Sequence, residues 1–174
     1  STDTGSGVAG YWVSYTDSTP DTDDYWVTTN QWQAGLFDPA IPEGPHTLYV
    51  RAQDGAGNLS VGVSQVNFTI DKTAPAPPTF TSPGEGETTE DTTPLLNWQD
   101  VSGAWKYQVF VQEDQFPWLD NRTSPEVTVS EWTVSPALAY KPWGWQVRIW
   151  DIAGNVSGYG RNGVVGAWGH FTVR

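Results

Sequence analysis

Clustered and repeated aspartates are the strongest sign of a chemical site in this sequence. Asp54 and Asp151 stand at the same position in two copies of an Asp-x-Ala-Gly-Asn segment. A further cluster lies in the segment DSTPDTDD: Asp17, Asp21, Asp23 and Asp24. Hard cations such as Ca²⁺ need several oxygen ligands, so these carboxylates are candidate calcium ligands.

The same aspartates have a simpler explanation as turn residues. Asp54 and Asp151 each begin an Asp-x-Ala-Gly-Asn segment. An aspartate at the start of a turn commonly hydrogen-bonds the backbone of that turn. The segment DSTPDTDD lacks the Asp-x-Asp-x-Asp-Gly loop and distal glutamate of a calcium-binding hand. The sequence therefore favours a protein without a cofactor and leaves calcium at Asp54 and Asp151 as the weaker alternative.

The sequence offers little for catalysis. His46 and His170 are far apart in the chain, and no Gly-x-Ser-x-Gly, His-Glu-x-x-His or glycine-rich phosphate loop occurs. The acidic segment GEGETTED could supply the carboxylate pair of a glycoside hydrolase. Its threonine and glycine content is more typical of a solvated loop, which does not hold two carboxylates at a fixed separation. We therefore expect a protein that is not an enzyme.

Charge and composition narrow the classes of partner. The formal net charge is -12, from 20 acidic and 8 basic residues, which argues against a nucleic-acid partner. Cysteine is absent, so the chain has neither a disulfide framework nor a thiolate metal site. No apolar run approaches the roughly 20 residues of a membrane helix, and we expect the chain not to span a membrane.

The apolar residues alternate with period two, which is typical of strands with one buried face. The segment HTLYVRAQD places three apolar side chains on one face: Leu48, Val50 and Ala52. The segment GWQVRIWD does the same: Trp145, Val147 and Ile149. No helical spacing of apolar residues is sustained anywhere in the chain. The pattern predicts an all-β protein.

Both segments belong to an internal repeat. The sequence VRAQDGAGNLS, residues 50–60, returns as VRIWDIAGNVS, residues 147–157. Upstream, SGVAGYWVSYTD from Ser6 matches SGAWKYQVFVQE from Ser102. The copies are about one hundred residues apart, the size of one β-sandwich module. In each copy the Asp-x-Ala-Gly-Asn segment predicts a tight hairpin turn, because Gly supplies a positive φ and Asp and Asn bond their own backbone.

These segments, with FTIDKTAPAPP and SPGEGETTEDTTPLLNWQD between them, resemble tandem bacterial immunoglobulin-like or fibronectin type III-like modules of large extracellular proteins. The resemblance covers nearly the whole chain and implies two tandem β-sandwiches. Module 1 would take residues 1–72 and module 2 residues 95–174. Residues 73–94 would form a Pro- and Thr-rich linker with the first-strand region of module 2, and Pro94 would open a strand with Leu96 and Trp98 inward.

Module 1 is expected to lack its opening strands. Residues 73–98 supply the first two strands of module 2, and nothing in module 1 corresponds to them. Such a module would leave one side of its core uncovered, and a large apolar face is seldom left in water. Two explanations remain open: the chain belongs to a longer protein whose upstream residues complete the module, or another chain donates the missing strands.

Outward-facing aromatic residues give the sharper binding hypothesis. If Tyr107, Val109 and Val111 point inward, Phe110 faces outward, and in the neighbouring strand Trp150 does so too. Together they would suit stacking on a sugar or packing against another protein. Module 1 offers a partial counterpart in Trp12. The alternative is that loops or the other module cover these rings.

Asn-x-Ser/Thr sequons provide the last signal in the sequence. They mark four asparagines as candidate glycosylation sites: Asn58, Asn67, Asn121 and Asn155. Asn58 and Asn155 are equivalent positions of the repeated turn, and Asn67 is expected to be exposed. These four sequons predict that the protein is a glycoprotein.

The resemblance implies a function that depends on architecture. It indicates an extracellular or cell-surface protein that serves as a stalk, a spacer or a fibre subunit. Its partners would be copies of itself or neighbouring modules of the same long chain. The alternative function is a carbohydrate-binding or adhesive module, with a polysaccharide as partner and Phe110 and Trp150 as the contact surface.

Overall fold

The computed structural model describes residues 5–31, 41–115 and 117–174, and every regular element in them is a β-strand. The chain divides into two compact units, Ser1–Asp71 and Lys72–Arg174. The predicted all-β fold class is therefore confirmed. Residues 73–94, which the sequence suggested as linker and first-strand region, are part of the second unit. No helix among the described residues has the length and apolar character needed to cross a membrane.

The described residues of unit 1 form a single antiparallel sheet. Its strands are β1 (Val8–Ser14), β2 (Tyr25–Val27), β3 (Gly44–Asp54) and β4 (Ser64–Ile70). They are arranged in the order β2-β1-β3-β4. Within residues 5–31 and 41–71 no second sheet faces this one. That unit 1 lacks its opening strands stays a prediction.

One face of this sheet carries the apolar residues of unit 1. Val13, Val27 and Leu48 are buried, and they come from three adjacent strands. Tyr11, Val50 and Phe68 pack against them but are only partly buried. The period-two alternation of β3 thus places its residues as the sequence predicts, but the cluster is small.

Unit 2 is a β-sandwich. Its strands are β5 (Phe80–Ser82), β6 (Glu87–Thr89), β7 (Leu95–Trp98), β8 (Ala104–Glu113), β9 (Asn121–Thr123), β10 (Glu131–Thr133), β11 (Pro142–Asp151), β12 (Gly160–Arg161), β13 (Val164–Val165) and β14 (Gly169–Val173). One sheet has the order β10-β7-β5. In the other, β11 pairs with both β8 and β14, β9 extends the sheet beyond β8, and β6 joins β14 in parallel.

The core of unit 2 lies between these sheets. Leu96 and Trp98 of β7 are buried, as the sequence predicts for a strand that Pro94 opens. The facing sheet buries alternate residues of its central strands: Tyr107, Val109, Val111, Trp145, Val147, Ile149 and Phe171. Phe80 of β5 stacks on Trp145 of β11 with ring centroids 3.6 Å apart. This stack joins the two sheets across the core.

The repeated turn has the same geometry in both units. The Asp54 carboxylate accepts hydrogen bonds from the backbone N–H of Ala56 and of Asn58 and from the Asn58 amide, the last at 2.8 Å. In unit 2, Asp151 accepts equivalent bonds from the Asn155 backbone N–H and side-chain amide, each at 2.9 Å. These bonds hold the pKa of both carboxyl groups below the ordinary value of 3.8, with the side-chain amide as the largest cause.

The two copies diverge after the turn. In unit 1, β4 returns alongside β3 and pairs with it from Gly44–Ile70 to Val50–Ser64. In unit 2 the short hairpin of β12 and β13 is placed between β11 and β14, and β12 pairs with β11 at Val147. The hairpin lengthens the return path, and the residues that flank it, Tyr159 and Trp168, pack on the outward-facing Phe110.

We expect the two units to respond separately to core substitutions. Trp145→Ala removes the ring that stacks on Phe80 and should lower the free energy of unfolding of unit 2 by about 3–5 kcal/mol. Val13→Ala, in the smaller cluster of unit 1, is the matched variant. Differential scanning calorimetry should show each variant shifting a different transition. A shift of the whole heat-absorption profile by Trp145→Ala would contradict two independently folding units.

The repeated aspartates should make stability pH-dependent. Because the folded-state pKa of Asp151 is lowered, its ionised carboxylate stabilises unit 2 above pH 3.8, and this contribution is lost as the pH falls through the folded-state pKa. Asp151→Asn removes the contribution. In urea unfolding, the difference between the parent and Asp151→Asn should be constant above about pH 5 and shrink at lower pH. Asp54→Asn should act in the same way on unit 1, and a pH-independent difference would show that ionisation plays no part.

Candidate functional site

The strand register brings the predicted aromatic residues to one face. In the ladder between β8 and β11, Phe110 pairs with Gln146 and Trp150 with Lys106. Because successive side chains alternate between faces, Phe110 and Trp150 both point away from the core. Each ring is half-buried, and neither forms the open face that the sequence suggested.

Loop residues cover Phe110. Its ring centroid lies 5.8 Å from that of Tyr159 and 5.9 Å from that of Trp168. Both rings come from the segment between β11 and β14 that is longer in unit 2. The sequence alternative in which loops cover these aromatics therefore describes Phe110.

Cationic side chains cover Trp150. Arg148 places its guanidinium carbon 4.6 Å from the Trp150 ring centroid and 4.8 Å from that of Tyr159, so it lies between two aromatic rings. The guanidinium also donates to Gln108 Oε1, at 2.6 Å from Nη2, and the Tyr159 hydroxyl donates to the same oxygen at 3.0 Å. Burial raises the pKa of Tyr159 above its ordinary value of 10.0. Arg148, Gln108 and Tyr159 therefore bind one another on the outer face of the sheet. These three residues and Trp150 form what we call the cation–aromatic ladder.

The partial counterpart in unit 1 is also engaged. Trp12 lies 4.8 Å from Trp26 between ring centroids, and its indole N–H donates to Gln53 Oε1 at 3.2 Å. The ring of Trp26 extends over Gly10, where an added Cβ would lie 2.4 Å from it. The Trp12 surface is thus a packed pair of indoles on the sheet.

The candidate calcium ligands are occupied by turn donors. Asp54 and Asp151 accept the turn hydrogen bonds already described. In the DSTPDTDD segment, Asp17, Asp21 and Asp24 accept bonds from nearby backbone N–H groups. No three His, Cys, Asp or Glu side chains come together as a metal-ion site in residues 5–31, 41–115 and 117–174. Calcium binding remains a prediction.

The four sequon asparagines fall into two classes. Asn58 and Asn155 use the side-chain nitrogen that would carry an N-linked glycan to donate to Asp54 and Asp151. Asn67 and Asn121 are exposed, and Asn67 accepts a hydrogen bond from Thr47 through its oxygen. Glycosylation stays a prediction, and the geometry favours Asn67 and Asn121 as its sites.

A cleft that sequence analysis did not identify lies on the outer face of the same sheet. It encloses about 380 Å³, which falls within the usual range for small-molecule sites. Its floor is a row across three adjacent strands, in which Gly144 of β11 pairs with Gln112 of β8 on one side and His170 of β14 on the other. Gly144 has no side chain, so the ring of Trp168 can rest on the sheet at this position and form one wall of the cleft.

Two tryptophans border the cleft. The ring of Trp168 lies directly on Gly144, since a Cβ added there would be 2.9 Å from a Trp168 ring carbon. Trp118 comes from the loop between β8 and β9, is 53% exposed, and has a left-handed backbone conformation with φ of 51°. A bulky residue in that conformation must be held by its surroundings.

Glu113 holds the loop that carries Trp118. Its buried carboxylate accepts hydrogen bonds from the backbone N–H of Leu119 and of Asp120, and it forms an ion pair of 2.5 Å with Lys141. The hydrogen bond from Lys141 is the largest cause that lowers the pKa of Glu113. The carboxylate of Glu113 therefore connects the loop backbone to strand β8.

The polar groups that line the cleft are few. Asp114 and His170 form a pair of 2.9 Å between Oδ2 and Nδ1, and Gln112 presents its amide from the floor. Of the two carboxylates among the described lining residues, Glu113 is committed to anchoring the loop, whereas Asp114 faces the imidazole. This arrangement of an amide, a carboxylate and an imidazole can bind a neutral polar ligand.

Comparison of the copies shows that the cleft positions are among those that differ between the two units. In the alignment of the repeat, Thr47 replaces Gly144 and Asn67 replaces His170, and these two residues of unit 1 hydrogen-bond across the strands at 2.8 Å. Gln65 stands where unit 2 has Trp168. The shared scaffold thus diverges at the positions that form the cleft.

Comparison with known proteins gives two similarities. No protein-family model matches the chain. The chain is 33% identical over 168 residues to Endoglucanase B of Cellulomonas fimi, and the match spans 90% of this chain and 15% of that protein. The fibronectin(III)-like modules of Clostridium thermocellum CbhA align with all of this chain and 82% of theirs, at a TM-score of 0.46 and 12% identity.

The chain's own strands define its class. In unit 2, β5, β7 and β10 form one layer of a sandwich, and β8, β11 and β14 are central to the other. Unit 1 repeats the pairing of the second layer, with the same turn after its long strand. The chain thus combines a β-sandwich, unit 2, with unit 1, whose sheet repeats the strand pairing of one layer of that sandwich.

Proposed function

We propose that this chain is a non-catalytic tandem module of a secreted, multidomain protein that acts on polysaccharide. The observation that carries the proposal is the match to Endoglucanase B, which takes in nearly the whole chain but only 15% of that protein. A segment of that proportion is an accessory part of the larger protein. Its role is that of a spacer between other domains.

The distribution of acidic groups supports a non-catalytic role. Asp54 and Asp151 close turns, and Glu113 anchors a loop. Glu85 pairs with Arg161 and accepts from the backbone N–H of His170. Each of these carboxylates accepts hydrogen bonds from the backbone, and a structural role is sufficient to explain its presence.

The same match supports an extracellular location, because an enzyme that cleaves glucan polymers meets its substrate outside the cell. Neighbouring modules of the same long chain are the partners that a spacer requires. The partly buried apolar face of unit 1, with Tyr11, Val50 and Phe68 at its margin, is a natural contact surface for a neighbouring strand or module. Assembly into fibres and adhesion stay predictions.

A second candidate function, polysaccharide binding, is favoured by a different observation. Phe110 and Trp150 are covered by other side chains on the outer face of the sheet. Trp118 and Trp168, in contrast, border an open cleft. A spacer that also contacts the polymer would keep the parent protein on its substrate.

The isolated chain should not hydrolyse cellulose derivatives. Incubation with carboxymethylcellulose should release no reducing ends beyond the buffer value, because the described residues that line the cleft include no facing pair of free carboxylates. A reducing-sugar assay with an active endoglucanase as positive control measures this. Release of sugar by the parent chain that Asp114→Asn abolishes would contradict the non-catalytic role.

A further inference from the structure

We propose that the cleft between Trp118 and Trp168 in unit 2 binds an uncharged, pyranose-based oligosaccharide, the class of ligand whose flat apolar ring faces and peripheral hydroxyls match its walls and floor. This inference deepens the proposed function by giving the spacer a ligand. It rests on the proposed function only for the expectation that the chain works among polysaccharides.

The two tryptophans provide the apolar contacts. A pyranose with equatorial hydroxyls exposes only C–H groups on its two faces, and an indole ring offers a planar surface of matching size. Trp168 lies on the backbone at Gly144, and the half-exposed Trp118 stands in the loop beside it. A sugar ring that enters the cleft is therefore in contact with aromatic surface.

The polar groups lie where the edge of a sugar ring needs them. Gln112 supplies an amide with both donors and an acceptor, and the Asp114–His170 pair supplies a carboxylate and an imidazole. Vicinal hydroxyls can donate to a carboxylate and accept from an amide at the same time. The Asp114 charge and the net charge of -12 act against a uronic acid or sulfated sugar, so the ligand is neutral.

The cleft is built before any ligand enters. The absence of a side chain at Gly144 fixes the position of Trp168, which also packs 5.9 Å from Phe110. The buried carboxylate of Glu113, in β8, binds the backbone of the loop that carries Trp118. It also pairs with Lys141, the residue before β11. Groups already held in place lose little conformational entropy on binding, which raises affinity.

Unit 1 shows that the scaffold does not require these residues. At the equivalent positions Thr47 and Asn67 hydrogen-bond to each other across β3 and β4. The sheet therefore tolerates an ordinary polar pair where unit 2 carries Gly144 and His170. The difference between the copies is explained by a ligand that only unit 2 accommodates.

The experiment is titration of the full chain with cellohexaose, followed by calorimetry and by tryptophan fluorescence. Trp118→Ala should weaken the affinity at least about fivefold through loss of a stacking surface. Trp105→Ala is the matched control, since Trp105 is 55% exposed and outside the cleft, and its affinity should equal that of the parent. Circular dichroism and the melting profile confirm that each variant is folded.

A third variant tests the cleft without removing an aromatic ring. Gly144→Thr introduces the unit 1 residue, and its Cβ, only 2.9 Å from the present position of the Trp168 ring, would displace that ring. It should abolish the cellohexaose response in a folded protein. Xylohexaose and mannohexaose, titrated in parallel, show which neutral pyranose the cleft prefers.

Two results would overturn the inference. One is the absence of a binding signal for all three hexaoses at millimolar concentration, and the other is equal weakening by Trp118→Ala and Trp105→Ala. Mass spectrometry of the same mixtures shows whether the oligosaccharide is cleaved, and so distinguishes failure of the binding proposal from failure of the proposed function. Cleaved oligosaccharide would contradict the non-catalytic role, whereas intact but unbound oligosaccharide would contradict only the cleft.

Discussion

The long antiparallel pairing of β8 with β11 is the constraint on which the rest of unit 2 depends. It runs from the Trp143–Glu113 pair to the Asp151–Ala104 pair and fixes which residues share each face. One face presents Val109, Trp145 and their neighbours to the core, where Phe80 stacks from the opposite sheet. The other face carries the cation–aromatic ladder and the cleft. A one-residue change of register would exchange the two faces.

The inner face stabilises the sandwich, and the outer face shows how the sheet can acquire further roles. Arg148 lies between Trp150 and Tyr159 and shares Gln108 with the tyrosine hydroxyl, so this part of the face is closed by its own side chains. Towards the start of β11, Gly144 makes room for the ring of Trp168, which borders the cleft. The same strand therefore supports a packed ladder at one end and a ligand-sized cleft at the other.

The repeat separates the features that the scaffold requires from those that one copy has added. Both copies keep the Asp-x-Ala-Gly-Asn turn with nearly equal hydrogen-bond distances, which marks it as a structural device. Among the described residues, the β12–β13 hairpin occurs in unit 2 alone, and Tyr159 and Trp168 flank it in the chain. The outer face of unit 2 thus owes its character to a change in one connection.

Local periodicity and turn chemistry indicated the long strands and the repeated turns of this protein. Alternation predicted the buried sets of β3, β8 and β11, the repeated Asp-x-Ala-Gly-Asn segment predicted both hairpins, and the offset between copies indicated two modules. Each of these signals depends on neighbouring residues, because side-chain direction in a strand has a period of two. The same alternation assigned Phe110 and Trp150 to one face.

Which aromatic residues are open to a ligand depends on long-range packing. Tyr159 and Trp168 are distant from Phe110 in the chain, and their packing on it depends on the path of the inserted hairpin. The cleft depends on a row of residues that meet across three strands and on a loop anchored by Glu113. Such contacts join residues that are remote in sequence, so no local pattern records them. The physical reason is that strand periodicity sets which way a side chain points, while tertiary packing sets what covers it.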